Sequence, residues 1–321
     1  MRLIMMGTGG YAVPTFEALI ESSHDVAALV TKPAPETKRR RSAPRNPMRE
    51  AGQAHDLPIF DPVSINSPEG LELLTDLAAD LFIVCDYGQI LSPEALALAK
   101  HGGINLHASL LPKYRGAAPI NWALFNGDTE TGNTVLHMTP QIDAGPCVAQ
   151  QRVTIGAEED AIELEERLAA IGAPLVLQVV DAIEAGNMQP IVQDREQVTR
   201  APRLKKSDGL VDWSRSAEQI VNQIRAMQPW PGTATNWQRT DKEPLRLMLQ
   251  KAHALSADET AAMENAVAAE PGTVVTSNDR FVVATGEGLL AIDELKPAGK
   301  RVLSSAEFLR GNPVPVGDRL A

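Results

Sequence analysis

Cysteine and long apolar runs are scarce in this sequence, and each scarcity excludes a class of protein. Cys85 and Cys147 are the only cysteines and lie far apart, without the Cys-x-x-Cys spacing of a metal site. We therefore expect neither a disulfide scaffold nor a bound metal. No apolar run approaches the roughly 20 residues that span a bilayer. Residues 2–6 lead straight into a glycine turn rather than a signal-peptide cleavage site, so we expect a cytoplasmic protein.

Positive charge is also in short supply. The formal net charge is −11, which argues against a protein that coats nucleic acid with its whole surface. One proline-rich segment departs from this balance, because it concentrates Lys38, Arg39, Arg40, Arg41, Arg45 and Arg49. Such a run is commonly a solvated surface. On so acidic a chain it could equally be a loop that binds nucleic-acid phosphates, and composition leaves both interpretations open.

The length and the hydrophobic pattern predict two domains. A chain of 321 residues exceeds the roughly 250 at which single cores stop growing. Apolar runs at residues 2–6, 26–30, 81–85 and 103–106 alternate with helical patterns, which predicts an α/β domain with a doubly wound, mostly parallel, Rossmann-like sheet. Ligands of such sheets bind beyond the carboxyl ends of the strands. Short alternating runs after residue 273 predict a smaller β-barrel.

A glycine motif follows the first predicted strand. Gly7-x-Gly9-x-x-Ala12 matches part of a dinucleotide fingerprint, but that fingerprint needs an acidic residue about 20 positions further on. The second strand here ends Val30-Thr31-Lys32. We therefore interpret the glycines as a tight turn that lets strand and helix pack closely, and a nicotinamide-dependent oxidoreductase is disfavoured.

Asn105 and His107 stand two positions apart at the end of a predicted strand, so both side chains leave the same face. An amide donor and an imidazole can stabilise the oxyanion of a tetrahedral intermediate. Asp143, from a neighbouring strand, could keep the imidazole protonated and relay protons. Acyl transfer by this set needs no serine or cysteine nucleophile. An isolated Asn-x-His pair is more commonly a hydrogen-bonded strand end, so the pair alone decides nothing.

A longer pattern surrounds this pair. Asn-x-His leads into Ser-Leu-Leu-Pro and Arg-Gly, with an Asp-x-Gly turn downstream. The pattern resembles that of the folate-dependent formyltransferases, and the turn Gly7-Thr8 with the following Ala-Val-Pro is similar to theirs as well. The matching residues are Asn105, His107, Ser109, Leu110, Leu111, Pro112, Arg115, Gly116, Pro119, Asp143 and Gly145.

The later part of the chain resembles the second domain of one branch of that family, the methionyl-tRNA formyltransferases. The similar motifs lie at residues 205–214, 217–220, 224–226, 229–232, 271–274 and 308–311. The resemblance implies a formyltransferase catalytic domain at residues 1–188, a linker at 189–205 and an oligonucleotide-binding-like barrel that binds tRNA at 206–321. It implies transfer of a formyl group from 10-formyltetrahydrofolate to the amino group of initiator methionyl-tRNA. We expect a monomer.

The resemblance also implies roles for individual residues. His107, as imidazolium, and Asn105 would bind the oxyanion, while Asp143 would pair with His107 and accept the amine proton. The folate site would comprise Tyr87, Gly88, Gln89, Ile90, Leu91, Ser109, Leu110, Leu111 and Pro112. The basic loop would contact the tRNA acceptor arm through Lys38, Arg39, Arg40, Arg41 and Arg45. Arg115 could be catalytic or structural.

Two departures from the family pattern limit what the resemblance implies. The basic loop lacks the family's Arg-Gly-Lys type sequence, so only phosphate attraction carries over to it. Pro146 stands where an aspartate is common. Formyl transfer to glycinamide ribonucleotide or to a sugar-nucleotide amine is the nearest alternative, although those chains lack either the basic loop or this form of the second domain. A non-catalytic RNA-binding module is disfavoured by the intact triad.

Overall fold

The computed structural model describes residues 1–34, 45–240, 242–263 and 269–321. These residues form two compact units. The first comprises Met1–Pro119, Glu130–Ile155 and Glu163–Pro202, and the second comprises Ile120–Thr129, Gly156–Ile162 and Arg203–Ala321. The boundaries at residues 188 and 205 that the sequence suggested remain a proposal.

The first unit is built on a mixed sheet. Within the described residues its strands run in the order β3-β2-β1-β4-β5-β7-β8. The pairs from β3 to β5 are parallel, whereas β7 and β8 are antiparallel additions. The predicted Rossmann-like sheet is thus confirmed. The strands are β1 (Arg2–Gly7), β2 (Asp25–Val30), β3 (Ile59–Phe60), β4 (Leu81–Cys85), β5 (Gly103–His107), β6 (Arg115–Gly116), β7 (Glu130–His137), β8 (Cys147–Thr154) and β9 (Arg200–Ala201).

Strand β4 shows why the sequence folds this way. All five of its residues are apolar and buried, as expected for a parallel strand that is covered on both faces. Phe82 and Val84 belong to a core that also contains Ile4 and Met6 of β1 and, from the helical side, Leu74. The same core contains Tyr87 and Leu91, so it anchors the segment that directly follows β4.

Several helices begin at the same local signal. The helices are α1 (Val13–Ile20), α2 (Pro47–Ala54), α3 (Pro68–Leu77), α4 (Pro93–Leu96), α5 (Pro119–Phe125), α6 (Ala161–Glu184), α7 (Ala217–Ala226), α8 (Ala257–Ala261) and α9 (Ser305–Gly311). Asn46, Ser67 and Ser92 each cap a helix whose first residue is proline, and each side chain accepts a backbone N–H of the first turn. A capping oxygen and a proline at the first position are both favourable at a helix start.

The strand order places a ligand crevice. Order 3-2-1-4-5 changes direction between β1 and β4, and in such sheets the loops after the strands at that point enclose the binding site. The two strands at that point end at Gly7 and Cys85, and β5, which lies beside β4, ends at His107. These strand ends are where the sequence placed the glycine turn, part of the folate residues and the Asn-x-His pair.

The second unit contains a barrel-like sheet, as the sequence predicted. In the described part its order is β12-β13-β14-β11-β10-β16, with β15 beside β14. A bridge between Thr273 and Arg319 brings the two ends of this order together. Phe281 and Phe308 stack in its core with ring centroids 6.0 Å apart. The strands are β10 (Thr233–Arg239), β11 (Lys242–Ala254), β12 (Val274–Thr276), β13 (Phe281–Ala284), β14 (Leu289–Pro297), β15 (Leu303–Ser304) and β16 (Arg319–Leu320).

Two expectations from composition concern cysteines and membrane helices. Cys85 and Cys147 are both buried and unbonded, and burial raises the pKa of each thiol. They therefore behave as small core residues.

None of the helices in the described ranges combines the length and the apolar character that a membrane crossing requires.

Candidate active site

Strand β5 carries Asn105 and His107 to the carboxyl edge of the sheet. It lies between β4, where Val84 pairs with Asn105, and β7, where Thr134 pairs with His107. The intervening Leu106 is buried, while Asn105 is partly exposed and His107 is 6% exposed. The period of two along a strand therefore puts the polar pair on one face, as the spacing predicted.

Asp143 meets both side chains from the loop between β7 and β8. Asn105 donates from Nδ2 to Asp143 Oδ1 at 3.3 Å. The distance from His107 Nδ1 to Asp143 Oδ2 is 3.7 Å, and the Gly116 backbone N–H donates to the same oxygen at 2.9 Å. The structure thus brings the three predicted catalytic side chains together at one point.

The opposite edge of the His107 ring is also fixed. Nε2 lies 2.9 Å from the carbonyl oxygen of Tyr114. Because a carbonyl oxygen only accepts hydrogen bonds, Nε2 carries the hydrogen and donates it. Tyr114 is held in turn, since its backbone N–H donates to Thr199 Oγ1 at 2.8 Å. The ring is therefore oriented with Nδ1 toward Asp143.

The loop that carries Asp143 is tightly packed against β7. Asp143 adopts a left-handed backbone conformation with φ of 50°. A Cβ atom on Gly145 would lie 1.8 Å from the carbonyl oxygen of His137, so only glycine fits there. Pro146, the departure from the family pattern, accepts the His137 backbone N–H at 3.0 Å. Pro146 is compatible with the fold because its carbonyl, rather than its side chain, makes this contact.

The predicted folate segment after β4 divides into buried and accessible residues. Tyr87 and Leu91 are each 1% exposed and belong to the core. Gln89 braces a neighbouring loop, since it accepts the Ile65 N–H at 2.9 Å and donates to the Pro62 carbonyl. Gly88 and Ile90 are exposed at the surface, Ile90 by 53%. These two are therefore the members that are most accessible to a ligand.

The second predicted folate segment, Ser109, Leu110, Leu111 and Pro112, forms a turn directly after β5. Ser109 is fully buried, and its hydroxyl donates to the Lys113 carbonyl at 2.6 Å. Thr134 Oγ1 donates to the Ser109 carbonyl and accepts the N–H of Leu111. Leu110 and Pro112 are partly exposed. Ser109 and Leu111 thus support the turn from inside the unit.

The basic loop is described only in part. Lys38, Arg39, Arg40 and Arg41 lie outside the described residues. Arg45 is 83% exposed and forms a bidentate pair with Glu50, with Nε and Nη2 3.0 and 2.6 Å from the two carboxylate oxygens. This hydrogen bonding raises the pKa of Arg45 and lowers that of Glu50.

Sequence reasoning missed a charged pair at the crevice between β1 and β4. Asp86 accepts the Gly9 backbone N–H, and a Cβ atom on Gly9 would lie 1.8 Å from its Oδ2. Burial raises the pKa of Asp86, while the nearby Lys32 lowers it. A Cβ atom on Gly88 would lie 2.2 Å from Lys32 Nζ. Gly9 therefore leaves room for the Asp86 carboxylate, and Gly88 leaves room for the end of the Lys32 side chain.

Gln193 was missed as well. It lies in the polar segment that the sequence suggested was a linker, yet its side chain is 7% exposed and reaches the Asp143 loop. The signal in the sequence is the apolar pair Ile191 and Val192 directly before it, which departs from the polar character of the segment. Elsewhere, the described residues contain no group of three or more His, Cys, Asp or Glu side chains placed to hold a metal ion.

Sequence comparisons match the whole chain. Residues 1–180 match the family model described as formyl transferase, and residues 203–313 match the formyl transferase C-terminal domain. A methionyl-tRNA formyltransferase of Rhodopirellula baltica is 41% identical, covering 100% of this chain and 96% of the relative. One of Pelotomaculum thermopropionicum is 40% identical, covering 99% of this chain and 97% of the relative.

Comparisons of structure give the same fold at low sequence identity. The sugar 3N-formyl transferase WlaRD, solved in the presence of dTDP and 5-N-formyl-THF, is 14% identical with a TM-score of 0.66. That match covers 94% of this chain and 99% of WlaRD. HypX from Aquifex aeolicus, in complex with tetrahydrofolic acid, is 15% identical with a TM-score of 0.59, covering 96% of this chain and 46% of HypX.

Proposed function

This chain belongs to the formyl transferase family, and we propose that it transfers a formyl group from 10-formyltetrahydrofolate to the free amino group of initiator methionyl-tRNA. The product is N-formylmethionyl-tRNA, which serves translation initiation. The observation that carries the proposal is the convergence of Asn105, His107 and Asp143 at the carboxyl edge of the sheet. Full-length similarity to relatives that are named for this reaction supports the choice of amine.

Asn105 and His107 supply the donors that formyl transfer requires. Attack of the amine on the formyl carbon turns the carbonyl oxygen into an oxyanion, and fixed N–H donors stabilise that charge. Asn105 Nδ2 carries two hydrogens, and its contact with Asp143 engages one of them. The other is available to the oxyanion.

His107 donates the second hydrogen bond in its protonated form. Nε2–H is engaged by the Tyr114 carbonyl, while Nδ1 faces the Asp143 carboxylate. A bare Nδ1 lone pair there would repel the carboxylate, whereas an imidazolium places a hydrogen between them. The separation of 3.7 Å is too long for a hydrogen bond. The Nδ1 hydrogen is therefore available to an oxygen that binds beside both residues.

Asp143 holds His107 in this form and takes up the proton that the amine loses. A new bond joins the amine nitrogen to the formyl carbon, and the bond from that carbon to the donor nitrogen breaks. The proton leaves the amine through Asp143, directly or through water, and ends on the donor nitrogen. The Gly116 N–H keeps one oxygen of the carboxylate in place during the transfer.

The formyl donor binds along the crevice between the two segments that follow β4 and β5. The side chains of Tyr87, Gln89, Leu91, Ser109 and Leu111 shape this site from inside the unit. Gly88, Ile90, Leu110 and Pro112 are more accessible and provide surface for direct contact with the donor.

Domain boundaries at 188 and 205, action as a monomer and a cytoplasmic location complete the proposal. Sedimentation of the purified chain would test the monomer.

The decisive test is a formylation assay with purified protein, 10-formyltetrahydrofolate and charged initiator tRNA. We expect N-formylmethionine after hydrolysis of the product. Glycinamide ribonucleotide and a sugar-nucleotide amine, at matched concentrations, serve as competing acceptors. Faster formylation of either competitor than of the charged tRNA would contradict the proposed acceptor while leaving formyl transfer itself intact.

We expect Asn105→Ala to lower kcat by roughly 10²–10³-fold, because removal of one oxyanion donor has about that effect. The KM for the formyl donor should change little, since the hydrogen bond that alanine cannot make is formed mainly in the transition state. The measurement is steady-state formylation of charged tRNA. Asn187→Ala is a control of the same type at an exposed asparagine that follows α6, outside the proposed site. Unchanged turnover of Asn105→Ala would remove this residue from the proposed site.

We expect neutralisation of Lys38, Arg39, Arg40 and Arg41 to glutamine to raise the KM for charged tRNA and to flatten its salt dependence. For each phosphate that the variant no longer neutralises, the slope of log affinity against log salt concentration should become shallower by about one. A phosphate contact from Arg45 would require Glu50 to give up its bidentate pair. Lys100→Gln serves as a control at an exposed lysine. An unchanged slope with full tRNA activity would mean that the loop is only a solvated surface.

A further inference from the structure

The segment that contains Gln193 reverses the usual pattern of burial. Ile191 and Val192 are 71% and 83% exposed, whereas the amide of Gln193 is almost completely buried. Buried polar side chains in folded proteins are normally fully hydrogen bonded, because a missing partner is costly. The partners of Gln193 therefore show what this burial achieves.

Every hydrogen-bonding position of the Gln193 amide is filled. Nε2 donates to the backbone carbonyls of Asp143 and Gly145 at 2.8 and 2.7 Å. Oε1 accepts from Nε and Nη2 of Arg115 at 3.1 and 2.8 Å. Two donors and two acceptor positions are all that this side chain has. The orientation of the amide is unambiguous, since guanidinium only donates and a carbonyl only accepts.

The two accepting carbonyls lie on either side of Ala144. Gln193 therefore bridges the turn that presents the Asp143 carboxylate. Asp143 adopts a left-handed conformation with φ of 50°, which a residue other than glycine keeps only where its surroundings hold it. The bridge supplies such a hold through the backbone, while His107 and Asn105 contact the carboxylate.

Arg115 connects this bridge to the rest of the site. Its side chain anchors Gln193, and the next residue, Gly116, donates its N–H to Asp143 Oδ2. Strand β6, which these two residues form, pairs with Arg200 and Ala201 of β9. One dipeptide thus contacts Asp143 directly through the backbone and indirectly through Gln193.

We propose that Gln193, anchored by Arg115, is a positioning residue that sets the orientation of the Asp143 carboxylate toward His107 and Asn105. This inference rests on the proposed function of Asp143. It assigns Arg115 a role that acts through Gln193. A displacement of about 1 Å at a reacting group can lower a rate about 10²-fold. Loss of the bridge can therefore lower turnover even if the Asp143 carboxylate moves only slightly.

The test variant is Gln193→Glu in the full-length protein. A carboxylate can still accept the two hydrogen bonds from Arg115, but it has no N–H and turns lone pairs toward the two carbonyls. We expect kcat for formylation of charged tRNA to fall by about 10–100-fold with the KM for the formyl donor nearly unchanged. Gln197→Glu is the matched control, because Gln197 lies in the same segment, is exposed and bonds only Asp194 among its described contacts. Unchanged kcat in Gln193→Glu would overturn the proposal.

A double-mutant cycle separates positioning from a general loss of structure. If Gln193 acts through Asp143, Gln193→Glu should cause little further loss in the Asp143→Asn background, because residues that act as one unit are strongly non-additive. The same fractional loss in both backgrounds would overturn the proposal. Arg115→Lys keeps a donor for Oε1 and should lose less activity than Arg115→Met. Equal losses would contradict the anchoring role of the arginine.

A measurement that does not depend on turnover completes the test. Hydrogen exchange of a peptide that covers residues 139–147 should speed up in Gln193→Glu and in Arg115→Met, but not in Gln197→Glu, because the bridge holds the loop. If Gln193→Glu does not fold, Arg115→Met carries the same comparison. If wild-type protein forms no product, the proposed function fails, while the exchange rates still decide whether Gln193 holds the loop. Equal exchange in all variants would overturn the proposal.

Discussion

We expect His107→Ala to lower kcat by about 10⁴-fold, the largest effect of any single substitution considered, because the imidazolium donates to the oxyanion and pairs with the Asp143 carboxylate that takes up the amine proton. Nδ1 faces Asp143 at 3.7 Å, and Asn105 contacts the other oxygen of the same carboxylate. The KM for the formyl donor should stay within a few-fold of wild type, since the interactions that alanine removes are formed mainly in the transition state. Steady-state and single-turnover formylation of charged tRNA measure both quantities.

The substitution also removes the hydrogen bond that His107 donates to the Tyr114 carbonyl, and loss of such a bond costs about 1 kcal/mol of stability. The Tm must therefore be measured alongside kcat, so that lost folding is not taken for lost chemistry. His55→Ala, at an exposed histidine, is the control and should keep full activity. A folded His107→Ala protein with wild-type turnover would rule out the proposed acyl-transfer site.

We expect Asp143→Asn to lower kcat by about 10³-fold, within the range for loss of a positioned acid or base. Asparagine can still accept the Gly116 N–H through its oxygen, so the loop should stay closed. It cannot take up the amine proton, and it carries no charge to favour the imidazolium. Folate binding, measured by fluorescence titration, should be largely retained.

A matched control exists for this variant. Asp56 has φ of 53°, close to the 50° of Asp143, and is exposed. Asp56→Asn therefore makes the same chemical change in the same backbone conformation, away from the site. If Asp143→Asn turned over as fast as Asp56→Asn, the Asp143 carboxylate would have no role in proton transfer. Only the backbone of residue 143 could then contribute to the site.

Much of the fold could be predicted from local patterns. Continuous apolar runs such as Leu81–Cys85 predict buried parallel strands, and the alternation of these runs with helical patterns predicts a doubly wound sheet. The convergence of Asn105 and His107 also follows from sequence, because the period of two along a strand is fixed by backbone geometry. The antiparallel strand β8 was missed, because its alternating residues carry only partial burial and many polar side chains.

The candidate site was predictable where its residues share an element or a motif, and not where they meet across the fold. Asp86 meets Gly9 and Lys32 only because β1, β2 and β4 are neighbours in the sheet. Arg115 and Gln193 are 78 positions apart. No periodicity links such residues, so their pairing is invisible until the chain is folded.

The sequence by itself determined the chemical groups of the site and the edge of the sheet on which they stand, because side-chain identity and strand periodicity are local properties. Only the tertiary structure decided which polar groups are buried and what they hold. Residues 191–201, which looked like a linker, pair with Cys147 and with β6 and so form the backing of the site. The reason is physical: burial and hydrogen bonding depend on which distant segments are packed together, and the local sequence of a polar segment does not record its partner.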